Sequence, residues 1–304
     1  MYDKNKTLIV IVGPTAVGKT KAAIEVAEYF DTEIISADSR QFFKELKIGV
    51  ASPSKSELNR VKHHFIANKS IHDYYNVYKY ENEALDLISI LFEKHDFIVL
   101  TGGSGLYVDA VCKGIDELPD PDETLRNELL AKFKENGIEY LRQQLKILDE
   151  EYYYSVDLAN HKRLLRAIEV CLTTGKTFSS LRKNTFKTRP FNIIKIGLNM
   201  ERTILYERIN TRVDNMIENG LINEVENLLP FKHLNALNTV GYKELFEYFD
   251  GKVKIEEATE NIKTHTRRYA KRQLTWFFRD KDIKWIDIKA NDNIIPDVLS
   301  TIPK

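Results

Sequence analysis

Cysteine is almost absent from this sequence, with two among 304 residues, Cys112 and Cys171. They stand far apart, with no CxxC pair and no clustered histidines, so neither a disulfide framework nor a zinc site is indicated and both thiols are expected buried and reduced. Long apolar runs are missing as well. The stretch Leu8 to Val12 falls far short of the roughly twenty residues needed to cross a bilayer, and nothing resembles a secretory leader, so a cytosolic protein without membrane contact is expected. Nor is there an excess of charge: 45 basic and 45 acidic residues cancel, which argues against a general nucleic-acid coater that must neutralise many phosphates. No internal repeat or low-complexity tract is visible. What remains, 43% hydrophobic and 30% charged residues, is the composition of a folded globular protein. The length suffices for a core domain of about two hundred residues and a smaller second unit.

Short β-branched runs occur at Thr7 to Val12, Glu33 to Ser36, Phe97 to Thr101, Ile193 to Leu198 and Lys284 to Ile288. Helical patterns mostly separate them, and that alternation reads as an α/β fold with a parallel sheet. From Lys19 to Phe30, apolar residues at Ala22, Ala23, Val26, Ala27 and Phe30 form a stripe suited to cover a sheet. Between Ile115 and Arg189 the strand signal vanishes. After the breaker Leu118-Pro119-Asp120-Pro121, helical spacing holds over Leu125 to Leu148 and Arg163 to Leu172. The expected organisation is therefore a first core part (1–115), a helical insertion (116–189) and a second core part (190–304). Long helices are expected over Leu205 to Leu229 and Ile255 to Phe278. The latter carries Lys263, Arg267, Arg268, Lys271, Arg272 and Arg279 without an intervening acid, interleaved with Tyr269, Trp276, Phe277 and Phe278. Such a face either grips RNA or merely solvates a helix.

Gly13-Pro14-Thr15-Ala16-Val17-Gly18-Lys19-Thr20 fits GxxxxGK[ST] and sits between a strand and a helix, where a P-loop belongs. Its backbone amides and the helix N-terminus would converge on phosphate oxygens, Lys19 would add positive charge and Thr20 a Mg²⁺ contact. The fold expected is a P-loop NTPase-like parallel sheet core with a helical insertion domain. In such open sheets ligands bind beyond the carboxyl ends of the strands. Asp38-Ser39-Arg40-Gln41 and Thr101-Gly102-Gly103-Ser104-Gly105 follow two of those strands. Asp38 could accept a proton from a nucleophile, hold Mg²⁺, or simply cap a helix. Ser104 could donate to a phosphate oxygen, or Gly102 to Gly105 could be a plain turn. After the strand Phe97 to Leu100 there is no acidic residue of the kind with which ATP-hydrolysing P-loop proteins commonly hold magnesium, which disfavours ATP hydrolysis. Arg208 and Arg212, four apart beside the apolar row Leu205, Ile209, Val213 and Met216, could neutralise a leaving diphosphate or pair with Glu201 or Glu207.

Taken in order, these blocks resemble the tRNA dimethylallyltransferase (isopentenyl-tRNA transferase) family over nearly the whole chain. They are residues 13 to 20, Ser36-Ala37-Asp38-Ser39 with Gln41, His63-His64, Gly102 to Tyr107, and Arg163 with Arg166-Ala167-Ile168-Glu169. Then follow Arg208-Ile209 with Arg212, Met216, Gly220-Leu221, Val240-Gly241-Tyr242-Lys243-Glu244, and Tyr269 to Gln273 with Thr275-Trp276-Phe277. The resemblance implies dimethylallyl diphosphate as donor, the exocyclic amine of the adenosine 3′ of the tRNA anticodon as acceptor, and Mg²⁺ as the ion. It implies that Gly13, Pro14, Thr15, Ala16, Val17, Gly18, Lys19 and Thr20 hold the diphosphate, that Asp38 is the base, and that Ser104 and Arg212 attend the leaving group. Contacts to the anticodon stem-loop are implied for Asp38, Ser39, Arg40, Gln41, Ser104, Arg126, Lys162, Arg163, Leu164, Leu165 and Arg166. The segment Asn238, Thr239, Val240, Gly241, Tyr242 and Lys243 is implied in the same role, on a monomer. The sequence departs from the family pattern at Val50-Ala51-Ser52, where threonine, alanine and lysine are usual, and at Phe43, Ser104 and Phe278, where tyrosine, threonine and arginine are frequent. Competing readings are an enzyme of the same chemistry acting on free adenine nucleotides, a P-loop kinase, and an RNA-binding module with an idle P-loop.

Overall fold

The computed structural model describes residues 6–183, 186–288 and 293–302. The chain begins with β1 (Thr7–Val12), buried along its whole length as a central parallel strand must be. It continues through α1 (Lys19–Tyr29), β2 (Ile34–Ser36), α2 (Lys55–Arg60), β3 (His63–His64), α3 (Val77–Phe92), β4 (Phe97–Thr101) and α4 (Gly105–Lys113). Four helices follow: α5 (Glu123–Leu148), α6 (Glu150–Ser155), α7 (His161–Thr174) and α8 (Phe178–Leu181). The sheet resumes with β5 (Asn192–Asn199), then α9 (Arg202–Glu218), α10 (Leu221–Glu226), α11 (Tyr242–Phe249), α12 (Ile255–Phe277), β6 (Ile283–Asp287) and α13 (Ile295–Thr301).

The six strands lie in the order β3-β2-β4-β1-β5-β6, and every neighbouring pair is parallel. Alternation along β1 sends Leu8, Val10 and Val12 into one apolar layer with Ile88, Leu91, Val108 and Val111 of α3 and α4. Ile9 and Ile11 enter the opposite layer with Ala23, Val26, Leu205 and Ile209 of α1 and α9. A third cluster joins Val213, Leu221, Val225, Leu237, Tyr242, Leu245 and Ile262 to Leu46. The expected single helix from Leu205 to Leu229 is broken. Gly220, at φ 97°, takes the left-handed conformation that ends one helical run and opens α10. The strand β3 has no sequence signature, because two half-buried histidines carry no periodicity. A buried ion pair ties α3 to the approach of β5: Arg189 Nη2 lies 2.7 Å from Glu81 Oε1 and also donates to the carbonyl of Ala110.

Contacts divide the chain into two compact units, one of residues up to Lys113 together with those from Thr188 onward, the other Gly114 to Lys187. The second unit has its own core of Leu129, Leu141, Leu145, Leu164, Ile168 and Phe178. Its helix α5 bends at Gly137 (φ 71°), and α7 is capped by the Asn160 side chain, which accepts the Arg163 amide. Both cysteines are free and buried. Burial pushes the Cys112 thiol up to about 12. Among the described residues no helix is long and apolar enough to cross a membrane.

Candidate active site

The carboxyl ends of β1, β2 and β4 open onto a cavity of about 350 Å³ lined by Thr15, Gly18, Lys19, Thr20, Asp38, Gly103 and Arg212 among others. At its base Gly18, with φ 112°, starts α1 and supplies no side-chain cap. The first amides of that helix are therefore left for an external acceptor. Lys19 Nζ donates to the Pro14 carbonyl at 2.8 Å. From α9, Arg212 Nη1 reaches Thr15 Oγ1 at 3.4 Å, so both cations rest on neutral oxygens. Burial pulls the Lys19 ammonium down to about 8, an effect opposed by Asp38 and reinforced by Arg212. Burial likewise lowers Arg212 from the usual guanidinium range, against the pull of Asp38. Two desolvated cations facing one cavity call for an anionic ligand. Arg208 lines the same cavity. Glu201, an alternative partner for these arginines, instead caps α9 by accepting the amides of Thr203 and Ile204.

Asp38 does not cap a helix. Residues 39–45 form turns, and Asp38 Oδ1 accepts the Arg40 amide at 3.0 Å. Asp38 lines both this cavity and an adjoining one of about 340 Å³. The second cavity is walled by Ser39, Arg40, Gly49, Asn238, Thr239, Val240, Gly241 and Lys243. Thr15, Val50, Arg212 and Tyr269 are likewise common to both, so the carboxylate stands where an anion pocket meets a second compartment.

Several candidate side chains are engaged within the fold. Ser104 lines neither cavity; its hydroxyl accepts the Ser39 amide at 2.9 Å and donates to Ser39 Oγ at 3.0 Å, bracing the turn after Asp38. Gln41 spends its amide on the carbonyls of Val50 (3.4 Å) and Ala51 (3.1 Å). Arg40 Nη1 holds the carbonyls of Asn235 and Ala236, each at 3.1 Å. Tyr242 is wholly buried. In the helical unit Lys162 and Arg163 are exposed on α7, whereas Leu164 and Leu165 belong to the core, so their side chains offer nothing to a partner. Arg166 and Arg126 flank Glu169, at 2.8 Å and 3.9 Å.

Other members of the site belong to the family blocks but carry no role assigned from the sequence. Gln273 of α12 accepts the Thr15 amide (2.8 Å) and donates to the Gly103 carbonyl (2.9 Å), cross-linking the loops after β1 and β4. A Cβ at Gly103 would lie 2.3 Å from Gln273 Nε2, which explains the glycine. Tyr269 lines both cavities and hydrogen-bonds Ser104, its phenol pushed up to about 12 by burial and by the charge of Asp38. Both residues sit within the basic stretch of α12. Part of that charge is internal: Lys263 pairs with Asp214 at 2.8 Å and Arg267 with Asn210 at 2.6 Å. Arg268, Lys271, Arg272 and Arg279 are exposed. His63 lines the first cavity; Nδ1 meets the Val61 carbonyl at 2.8 Å, Nε2 is buried without a partner, and burial keeps the ring below its usual pKa.

The family model for IPP transferase matches residues 41–281. Among curated relatives, tRNA dimethylallyltransferase 2 of Azobacteroides pseudotrichonymphae is 55% identical over 280 residues, covering 92% of this chain and 91% of its own. The tRNA dimethylallyltransferase of Christiangramia forsetii is 52% identical over 294 residues, 97% of each chain. Among solved structures, the full-length tRNA isopentenylpyrophosphate transferase of Bacillus halodurans superposes with a TM-score of 0.70 at 36% identity, covering 98% of this chain and 94% of that one. Identity of this degree, sustained from the sheet through the helical unit and back, means that the chain belongs to the IPP transferase family.

Proposed function

We propose that this protein is a tRNA dimethylallyltransferase, moving the dimethylallyl group of dimethylallyl diphosphate onto the exocyclic amine of the adenosine 3′ of the anticodon. The observation that carries the proposal is the placement of Asp38 on the boundary between a cationic, uncapped phosphate cradle and a second cavity of similar size. Donor diphosphate occupies the first, its oxygens meeting the amides of residues 13 to 20, Lys19 and Arg212. The acceptor base enters the second.

An allylic carbon separates from diphosphate once the leaving group's charge is stabilised, and buried cations supply that stabilisation best where water is scarce. The C–O bond to diphosphate breaks, the amine nitrogen bonds the allylic carbon, and Asp38 accepts the amine proton. Ser104 holds Ser39, and through it the turn that aims Asp38. The lining suits Mg²⁺ at one position: Thr20, the first residue after Lys19 in α1, offers a hard hydroxyl oxygen to the cavity. When bound, the ion would neutralise diphosphate charge from the Thr20 side. Exposed Lys162 and Arg163 of the helical unit, with Asn238 to Gly241 and Lys243 at the second cavity, are the RNA contacts. An anticodon loop yields a base to such a pocket at lower cost than a duplex does.

The reading is tested by measuring diphosphate release and RNA prenylation together, using an unmodified anticodon stem-loop, Mg²⁺ and dimethylallyl diphosphate. One diphosphate should appear per prenylated adenosine, and none without RNA. Release that continues at the same rate in the absence of RNA would overturn the reading.

A further inference from the structure

The wall shared by the two cavities is a loop without regular structure, residues 47–53, from which Val50 faces both compartments. No sheet ladder secures it, and Ala51 stands at φ 48°, a conformation that residues with a Cβ seldom adopt. Something else must hold its shape. Gln41 grips two of its carbonyls, as described above. Its amides converge on a single side chain from α10: Glu224 Oε2 accepts Lys47 N at 3.1 Å and Ile48 N at 2.8 Å, and Oε1 accepts Gly49 N at 3.0 Å. The Tyr242 hydroxyl donates to Oε1 at 2.7 Å. A Cβ on Gly49 would lie 2.6 Å from the Tyr242 ring, so the loop is pressed against the first residue of α11.

We infer that Glu224 is a positioning residue of the acceptor cavity, its carboxylate clamping the 47–49 amides to the start of α11 and so fixing two opposing walls beside Asp38. The inference rests on the assignment of that cavity to the acceptor under the proposed function. The Glu224 side chain lines neither cavity and acts only through the elements it joins. Four donors converge on it, which an ionised carboxylate can satisfy with its two oxygens. A glutamine keeps one acceptor oxygen and turns an NH₂ toward amide hydrogens, losing the bonds on one side and adding a donor-to-donor clash. Such a change loosens the loop while the phosphate cradle, held separately by Gln273, stays in place.

The test uses the full-length protein and the variant E224Q, with E226Q as control, since Glu226 is exposed on the same helix. Hydrogen exchange should show the Lys47 to Gly49 amides protected in the wild type and exchanging about tenfold faster in E224Q, with the P-loop amides unchanged. Steady-state kinetics should show the KM for anticodon stem-loop RNA rising about tenfold, the weight of roughly one charge-assisted hydrogen bond. Dimethylallyl diphosphate affinity by calorimetry should change by less than the RNA KM: the loop borders the donor cavity through Val50, Ala51 and Pro53, but the phosphate cradle itself is held by Gln273. A merely architectural role would lower the unfolding temperature and leave both binding constants alone. Unprotected amides at 47–49 in the wild type, or an unchanged RNA KM in a folded E224Q, would overturn the inference. Should E224Q not fold, E224D, whose shorter stem withdraws the carboxylate from the amides, is read by the same criteria. If the wild type prenylates no RNA, the proposed function fails and the exchange comparison alone decides the clamp.

Discussion

Desolvation holds the Lys19 ammonium near pH 8 rather than at its ordinary 10.5, and two consequences follow. In the unliganded protein the charged form is disfavoured, so between about pH 8 and 10.5 the unfolded chain binds a proton that the folded chain has released, and stability rises with pH across that window. An anionic ligand reverses the preference, because the diphosphate pairs with protonated lysine. Donor affinity should therefore be flat below pH 8 and fall about tenfold per unit just above it, with proton uptake visible as a buffer-dependent binding enthalpy. Calorimetry from pH 7 to 9.5 checks this, and in Lys19→Ala the affinity should be roughly ten- to hundredfold weaker at pH 7 and without that slope. For Asp38, replacement by asparagine preserves shape and removes the base. Single-turnover prenylation should slow by a factor of about 10² to 10⁴ while donor affinity changes little. Near-normal single-turnover chemistry in this variant would remove Asp38 from the mechanism.

At the scale of elements, the proposed function gives an RNA contact to α7 and the bracing of the donor loops to α12 through Gln273. Lys162 and Arg163 are exposed at the start of α7, so their joint replacement by alanine should leave donor binding intact. It should reduce the salt slope of tRNA binding by about one to two units, the signature of two lost phosphate contacts. Fluorescence titration at several salt concentrations reads this directly, and an unaltered slope would take α7 out of the interface. The P-loop, the parallel sheet, and the meeting of Asp38 with Arg212 could all be read from residues, because motif, strand and helix spacing coincide there. Ser104 and Gln41 could not. Their hydroxyl and amide are committed to Ser39 and to the 50–51 carbonyls, partners fixed only by tertiary folding. The resemblance counts Leu164 and Leu165 among the RNA contacts, yet helical periodicity turns their side chains into the core. Gln273 stands in a family block, but its cross-link between two loops 170 or more positions away in sequence exists only once the chain has folded.

For the whole molecule, burial makes the unit containing the sheet sensitive at an ion pair that lines neither cavity. Glu81 and Arg189 are 1% and 7% exposed. Glu81→Ala should cost about 3–5 kcal/mol by stranding the guanidinium, whereas the double replacement by apolar residues of similar volume should recover most of that loss. Chemical denaturation of the single and double variants measures both. Under the proposed function one path links the parts: a diphosphate gripped beyond the carboxyl ends of the strands, its hydrocarbon delivered past Asp38 to a nucleobase in the second cavity. The most direct measurement offers the protein dimethylallyl diphosphate labelled in its hydrocarbon, with Mg²⁺ and equimolar unmodified tRNA and AMP, and follows where the label goes. Label on the tRNA, confined to the adenosine 3′ of the anticodon, is the predicted result; label on AMP with none on the tRNA would contradict it.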